Sequence, residues 1–210
     1  MIKKHWKLLL ITSLVILFPI LAGVYLWDQL PAQLPIHWNV NGEVDDWAPK
    51  GVVVYLLPLL LLGLHWLATI VTAADPKKKN HSPKMLQLVF WPVPVLSLVL
   101  SVATYMAALG KELPINLIFS LLLGLIFIVL GCYMPQCKQN YTIGIKLPWT
   151  LADEENWNKT HRLAGWVWSI GGLLMMVSGL FDGTRFFLAV VLAIALLPTI
   201  YSYILHLKKK

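Results

Sequence analysis

Apolar residues in this chain run in long unbroken stretches instead of alternating with polar ones. A helix needs about 20 residues to cross ~30 Å of hydrocarbon. Leu8–Trp27, Val52–Ala73, Leu86–Leu109, Ile115–Met134, Leu163–Phe181 and Phe186–Leu205 each satisfy that length. In lipid every backbone polar group must be bonded within the chain, so each stretch is expected to be a helix. Pro19, Pro58, Pro92, Pro94 and Pro198 fall inside the stretches and are positioned to kink them. Trp27, Trp66, Trp91 and Trp166 lie near their ends, where interfacial anchors sit. The first stretch follows a basic start but is long for a signal-peptide core, and no A-x-A site follows it, so it is read as a retained helix.

The segments between the stretches fix a direction. Lys and Arg gather in the N-terminal tail, in Asp75–Met85, in Pro135–Arg162 and in the C-terminal tail. The alternate loops, Asp28–Gly51, Gly110–Pro114 and Asp182–Arg185, hold one basic residue each. The positive-inside rule then puts both termini and both basic loops in the cytoplasm, and six spans satisfy every loop. The expected fold class is an all-α integral membrane protein of six transmembrane helices. A small β-hairpin-like loop lies outside, and a cytoplasmic loop contains a short helix. The expected organisation is a two-helix N-terminal part, 1–85, with its outer loop at 28–51, then a four-helix part, 86–210, with its inner loop at 135–162.

Two of the polar segments have structure of their own. In the outer loop, Ile36, Trp38 and Val40 alternate with His37 and Asn39 before Asn41-Gly42, a strong hairpin signal. A two-residue type I′ turn there sets Val40 opposite Glu43, Asn39 opposite Val44, Trp38 opposite Asp45 and His37 opposite Asp46. Asp28, Glu43, Asp45 and Asp46 outnumber Lys50, which suits a cationic or amphipathic ligand. The plainer reading is a cap over helix ends with His37 and Asp46 paired. In the inner loop, Thr150 followed by Asp153 resembles a capping box that starts a helix near Leu151. Asp153, Glu154 and Glu155 suit its N-terminus, and Lys159, His161 and Arg162 its later turns. Glu155 and Lys159 form an i, i+4 pair, and Trp149 and Trp157 are expected at the headgroups. Docking of a cytoplasmic protein and simple interfacial anchoring are both open for this loop. Ser120, Gly124 and Gly131 in the fourth stretch and Gly165, Ser169, Gly172 and Gly179 in the fifth have the spacing of closely packed membrane helices.

Composition narrows the function classes. Of 210 residues, 58% are hydrophobic and 13% charged, with mean hydropathy +0.70, more apolar surface than one soluble core can hide. The net charge of +7 sits in clusters beside the spans, which argues against direct nucleic-acid binding. Cys132 and Cys137 are too few for a disulfide framework, and no metal-ligand set, Gly-rich phosphate loop or nucleophile constellation is present. No cofactor, metal or catalytic residue is therefore expected. His65 is the lone ionisable group within the spans, which counts against a transporter. A membrane-surface enzyme using His161, Asp153 or Glu154, and a small-solute transporter, are the alternatives to a binding and signalling role.

Two long motifs carry a family likeness. The pattern LPxxLPIHWNxNGxxDxWxxK, Leu30 to Lys50, resembles the domain of unknown function that precedes the SdpI domain in SdpI-like immunity proteins of Gram-positive bacteria. The pattern GCYMPxxxxNYTIGIKLPWTLxxxxxWxxTHRxxG, Gly131 to Gly165, resembles the signature of the SdpI domain itself. The resemblance implies a multi-pass protein of the cell membrane whose partners are the lipid bilayer, a secreted toxin peptide and, as a further candidate, a cytoplasmic repressor. The founding member of that family protects cells from a killing peptide that collapses the ion gradient, and holds an autorepressor at the membrane. The positions carried over outside are His37, Trp38, Asn39, Gly42 and Asp45, to which the acidic face adds Asp46. Inside they are Asn140, Tyr141, Gly144, Lys146, Pro148, Trp149, Thr150, Trp157, Thr160, His161 and Arg162. Cys132 stands where relatives often have Asn. Lys146 stands where Arg is common, which keeps the charge but loses the planar fork.

Overall fold

Hydrocarbon leaves a backbone amide only its own helix to bond to, and the apolar stretches are helical in the computed structural model, which describes residues 1–181 and 183–209. Asp182, in the expected last outer loop, and Lys210, in the cationic tail, lie outside the described residues. The elements are α1 (Ile2–Tyr25), β1 (Gln33–Trp38), β2 (Val44–Pro49), a π-helical turn (Val52–Leu56) leading into α2 (Leu57–Ala74), α3 (Pro83–Phe90), α4 (Pro92–Ala108), α5 (Ile115–Tyr133), α6 (Pro148–Ala152), α7 (Glu154–Ser178) and α8 (Thr184–Leu207). Among the described residues, five helical segments are long and apolar enough to cross a membrane: Ile2–Tyr25, Val52–Ala74, Pro83–Ala108, Ile115–Gln136 and Thr184–Leu207. The remaining expected span lies in α7. That helix is 25 residues long and carries the polar run from Glu154 to Arg162 in its first turns.

The prolines act in different ways. Pro92 opens α4 directly after α3 ends at Phe90, because a residue without an N–H suits a first helical position. Pro58 follows the π-helical turn, where the widened helix accommodates a ring that would strike the preceding carbonyl. Pro19 and Pro198 stay inside α1 and α8.

Contacts divide the chain into two compact units. The first comprises Met1–Ala73 and Gln87–Asn116. Its helices are stapled by side chains that reach polar partners on neighbouring helices. His65 Nε2 lies 2.9 Å from Thr12 Oγ1, and Trp66 Nε1 donates to Ser13 Oγ at 3.1 Å. Ser97 Oγ and Tyr105 Oη donate to the carbonyls of Ile16 and Pro19, each at 3.1 Å. His65 is fully buried, and its bond to Thr12 joins α2 to α1.

The second unit comprises Ala74–Leu86 and Leu117–Lys210. Here the small-residue spacing does what the sequence implies. A Cβ on Gly131 would meet the Ser169 nitrogen at 2.6 Å, and one on Gly179 would meet Ser120 Cβ at 2.7 Å. One on Gly124 would lie 2.5 Å from the Gly172 carbonyl oxygen. Thus α5 and α7 touch backbone to backbone. Gly171, on α7, faces Ile194 of α8 in the same way.

Candidate functional site

The outer loop folds as an antiparallel hairpin, seated in the first unit. Leu30 and Leu34 are buried with Val53, Val54 and Tyr105, which fixes the inner face of β1. Thr104 Oγ1 donates to the Pro35 carbonyl at 3.1 Å. At the base, the Lys50 amine donates to the Trp27 carbonyl at 2.9 Å and sits 4.5 Å from the centre of the Trp27 ring.

The turn differs from the expected one. Gly42 has φ +81°, but Asn41 does not have positive φ, so this is not a type I′ turn. Gly42 N–H donates to the Asn39 carbonyl at 2.9 Å, and Asn39 N–H to the Glu43 carbonyl at 2.8 Å. The loop is therefore three residues, Val40-Asn41-Gly42, with glycine at the left-handed third position. The cause is Asn39, whose side-chain oxygen accepts from the N–H groups of Asn41 and Glu43 at 2.9 and 3.1 Å. The longer loop shifts the register, so Asn39 meets Glu43, and Trp38 faces Val44 instead of Asp45. An irregularity beside His37 restores the expected His37–Asp46 backbone pair.

The side chains then sort differently from the strand partners. His37 Nδ1 lies 2.6 Å from Asp45 Oδ1, both exposed. Asp46, expected as the partner of His37, accepts the Trp47 N–H at 2.8 Å. Trp47 is 52% exposed, against a half-buried Trp38, so the indole displayed beside the acids is one that the sequence reading passed over.

The inner loop is built around two buried aromatics in the second unit. Trp157 and His161, one turn apart on α7, stack with centroids 4.0 Å apart and are 0% and 1% exposed. Trp157 Nε1 donates to the Cys137 carbonyl at 2.7 Å, so the indole props the loop and is not at the headgroups as expected. His161 Nδ1 lies 2.8 Å from the Trp157 carbonyl, and Ile145 N–H donates to Nε2 at 2.9 Å. A carbonyl can only accept and an amide N–H only donate, which fixes one neutral tautomer. Burial accordingly lowers the His161 pKa to about 4. Gly144, at φ +117°, passes so close to His161 Nε2 that a Cβ has no room.

Hydrogen bonds hold the rest of the loop. Asn140, 1% exposed, accepts from Thr142 and Ile143 N–H at 2.9 and 2.7 Å and donates to the Lys138 and Ile143 carbonyls. Thr150 is buried at the third position of α6, where its oxygen accepts the Leu147 N–H at 2.9 Å. It is thus not the N-cap of the following helix. Asp153 takes that role, accepting the Glu155 N–H at 3.0 Å. A helix starting at Pro148 leaves Thr150 inside its first turn, and a second start at Glu154 frees Asp153 to cap. Glu155 and Lys159 pair at 2.7 Å as expected.

A second network ties the α6–α7 corner to the end of α8. Trp149 Nε1 donates to Ser202 Oγ at 2.7 Å, and Ser202 Oγ to Asn156 Oδ1 at 2.9 Å. Asn156 Nδ2 donates to the Ser202 carbonyl at 2.9 Å, and Thr160 Oγ1 to Asn156 Oδ1 at 3.0 Å. The Trp149 ring packs on Tyr203 and stacks on His206. Of the inner candidates, Asn140, Thr150, Trp157, Thr160 and His161 are interior, while Tyr141, Lys146, Pro148 and Arg162 are exposed. Asn156 and Ser202 belong to this network. Gln139 Nε2 donates to the Thr150 and Leu151 carbonyls, and Asp75 accepts the Tyr141 N–H and the Thr142 hydroxyl, which adds to the loop's bonding. None of these four residues was anticipated. For Asn156 a signal existed, because Asn156, Trp157, Thr160, His161, Ala164 and Gly165 share one helical stripe that continues the buried face of the span.

Comparison with known proteins agrees with the two motifs. Residues 136–202 match the SdpI/YfhL protein family, and residues 14–62 match a domain of unknown function (DUF1648). The chain is 28% identical over 204 residues to the immunity protein SdpI of Bacillus subtilis (strain 168), covering 96% of each. No solved structure matches. Along nearly its whole length the chain is thus similar to SdpI-family proteins, and its several helices long and apolar enough to cross a membrane accord with a membrane protein.

Proposed function

We propose that this protein gives its host cell immunity to a secreted, membrane-active peptide, with the hairpin as the recognition side and the inner loop as the response side. The observation that carries this reading is the kinship with an immunity protein along nearly the whole chain, 96% of both partners. In the proposed topology six helices cross the membrane, both termini are cytoplasmic, the hairpin faces outward and the 135–162 loop faces inward. The lysine distribution supports that arrangement.

The recognition set is His37, Trp38, Asp45 and Asp46, to which the exposed Trp47 is added, with Asn39 and Gly42 shaping the turn. An exposed indole beside carboxylates suits a peptide that presents apolar and basic groups together. On the inner side, Tyr141, Lys146, Pro148 and Arg162 form the surface available to a cytoplasmic repressor, edged by the half-buried Trp149. Asn140, Gly144, Thr150, Trp157, Thr160 and His161 keep that surface in shape.

Separation of function tests this. Asp45→Ala with Asp46→Ala and Trp47→Ala should lose peptide binding, while Arg162→Ala with Tyr141→Ala should retain binding and lose signalling or protection. Equal binding by the outer variant and the intact protein would refute the recognition role. For topology, a thiol probe at Asn41→Cys should react from outside, and one at Glu154→Cys only after permeabilisation. Reaction of both from the same side would refute the arrangement.

A further inference from the structure

In the second unit the segment Ala74–Leu86 is more than a string of positive charges. Asp75 is 2% exposed, and its carboxylate accepts three hydrogen bonds. Oδ1 accepts the Lys77 N–H at 2.7 Å. Oδ2 accepts the Tyr141 N–H and the Thr142 hydroxyl, each at 2.9 Å, and His81 Nε2 lies 3.4 Å away. Burial alone would raise this carboxyl. The Lys77, Thr142 and Tyr141 hydrogen bonds and the neighbouring His81 together hold it below the usual carboxylate value. A charge that is costly to bury is thus kept ionised to fasten one loop to another. Asn80 Nδ2 adds a bond to the Gln139 carbonyl at 2.6 Å, and the Lys77 amine donates to the Gln139 side chain.

These bonds hold the two loops against each other. The segments 74–86 and 135–149 carry Lys77, Lys78, Lys79, Lys84, Lys138 and Lys146, and their one carboxylate is the buried Asp75. No acid in these segments remains to neutralise the surface amines. Two of the amines are also held in place. Lys77 lies 5.4 Å from the centre of the Tyr141 ring, and Lys146 donates to the Thr142 carbonyl at 3.0 Å. Tyr141 itself is 47% exposed. Both segments are joined directly to ends of helices long and apolar enough to cross a membrane, α2 and α3 for the first and α5 for the second.

We propose that these two loops form a binding site for anionic phospholipid headgroups, with Lys77, Lys146 and Tyr141 as its contacts and Asp75 as the positioning residue. A free polybasic run attracts any anionic surface by charge alone. What separates this site from such a run is the buried carboxylate that fixes where the amines stand. Asp75→Asn therefore discriminates. It raises the net charge by one, so charge alone predicts equal or stronger selection of anionic lipid, whereas a built site predicts weaker selection.

The experiment uses the full-length protein in nanodiscs of phosphatidylcholine mixed with phosphatidylglycerol. After transfer to detergent, native mass spectrometry counts the lipids retained. The intact protein should keep phosphatidylglycerol in preference to phosphatidylcholine, and Asp75→Asn should lower that preference despite its added charge. A second comparison holds if Asp75→Asn does not fold. Lys77→Gln with Lys146→Gln should reduce the preference more than tenfold, at about fivefold per lysine. Lys3→Gln with Lys4→Gln, the same charge change in the N-terminal cluster, should leave most of it. Equal losses from the two pairs, an unchanged or increased preference in folded Asp75→Asn, or no preference in the intact protein would each overturn the proposal. The last result is the one expected if the true occupant were an acidic protein.

Discussion

Replacing Gly144 by alanine is expected to cost the second unit several kcal/mol. At φ +117° an L residue is strained, roughly 1–2 kcal/mol. The new Cβ would also collide with His161 Nε2, where the Ile145 N–H bonds at 2.9 Å, and would press on Trp157. Parting that buried donor and acceptor adds about 1–3 kcal/mol. The sum is about 2–5 kcal/mol. For a chain of this size each kcal/mol corresponds to roughly 2–4 °C in the unfolding midpoint, so the loss should be on the order of 10 °C. Gly110→Ala is the matched control, since φ there is +72° but nothing lies within 4 Å of the added carbon. It should show only the backbone part. The assay is thermal unfolding of both variants and the parent in the same detergent, followed by tryptophan fluorescence. A Gly144→Ala midpoint within 2–3 °C of the Gly110→Ala midpoint would refute the claim that the loop is moulded on His161.

Other expectations follow from the same networks. His161 is neutral when folded and has its pKa lowered from 6.5 to about 4. The unfolded chain then binds more protons between those values, and stability should fall as pH drops from about 6.5 to about 4, by roughly 3 kcal/mol. Denaturation across that range should show the slope in the parent and a shallower one in His161→Gln. Asn156→Ala leaves Ser202 and Thr160 without a shared partner, and should destabilise by about 1–3 kcal/mol in chemical denaturation. Gly172→Leu should disrupt the α5–α7 contact and yield aggregated protein on size-exclusion chromatography, whereas Gly63→Leu, where nothing lies within 4 Å, should run like the parent. Asn39→Ala removes the oxygen that shapes the hairpin turn, and should raise proteolysis at Asn41-Gly42 in the purified protein.

The helices were legible because a stretch of twenty apolar residues leaves the backbone few alternatives, and the hairpin because Asn-Gly between alternating strands is a local signal. Register was not, since it hung on whether the Asn39 side chain would close the loop at two residues or three. The polar residues from Asn156 to His161 look like a solvated face in isolation, yet they extend the stripe that Ala164, Gly165 and Gly172 bury further along α7. Following that stripe back through the polar turns identifies Trp157 and His161 as interior. Asp75 offered no such clue. It is a lone acid at the end of an apolar run, and its partners Tyr141 and Thr142 stand 66 and 67 residues away. Contacts of that kind arise only once the helices are assembled.

The central claim is protection, and membrane potential measures it directly. The intact chain is expressed in a sensitive strain, which is challenged with candidate peptides encoded beside its gene while a potential-sensitive dye is followed. Cells carrying the protein should hold their potential against one such peptide, and cells carrying the Asp45→Ala, Asp46→Ala and Trp47→Ala variant should lose it as fast as cells without the protein. Collapse of the potential in both strains with every peptide tried would contradict immunity as the function of this chain.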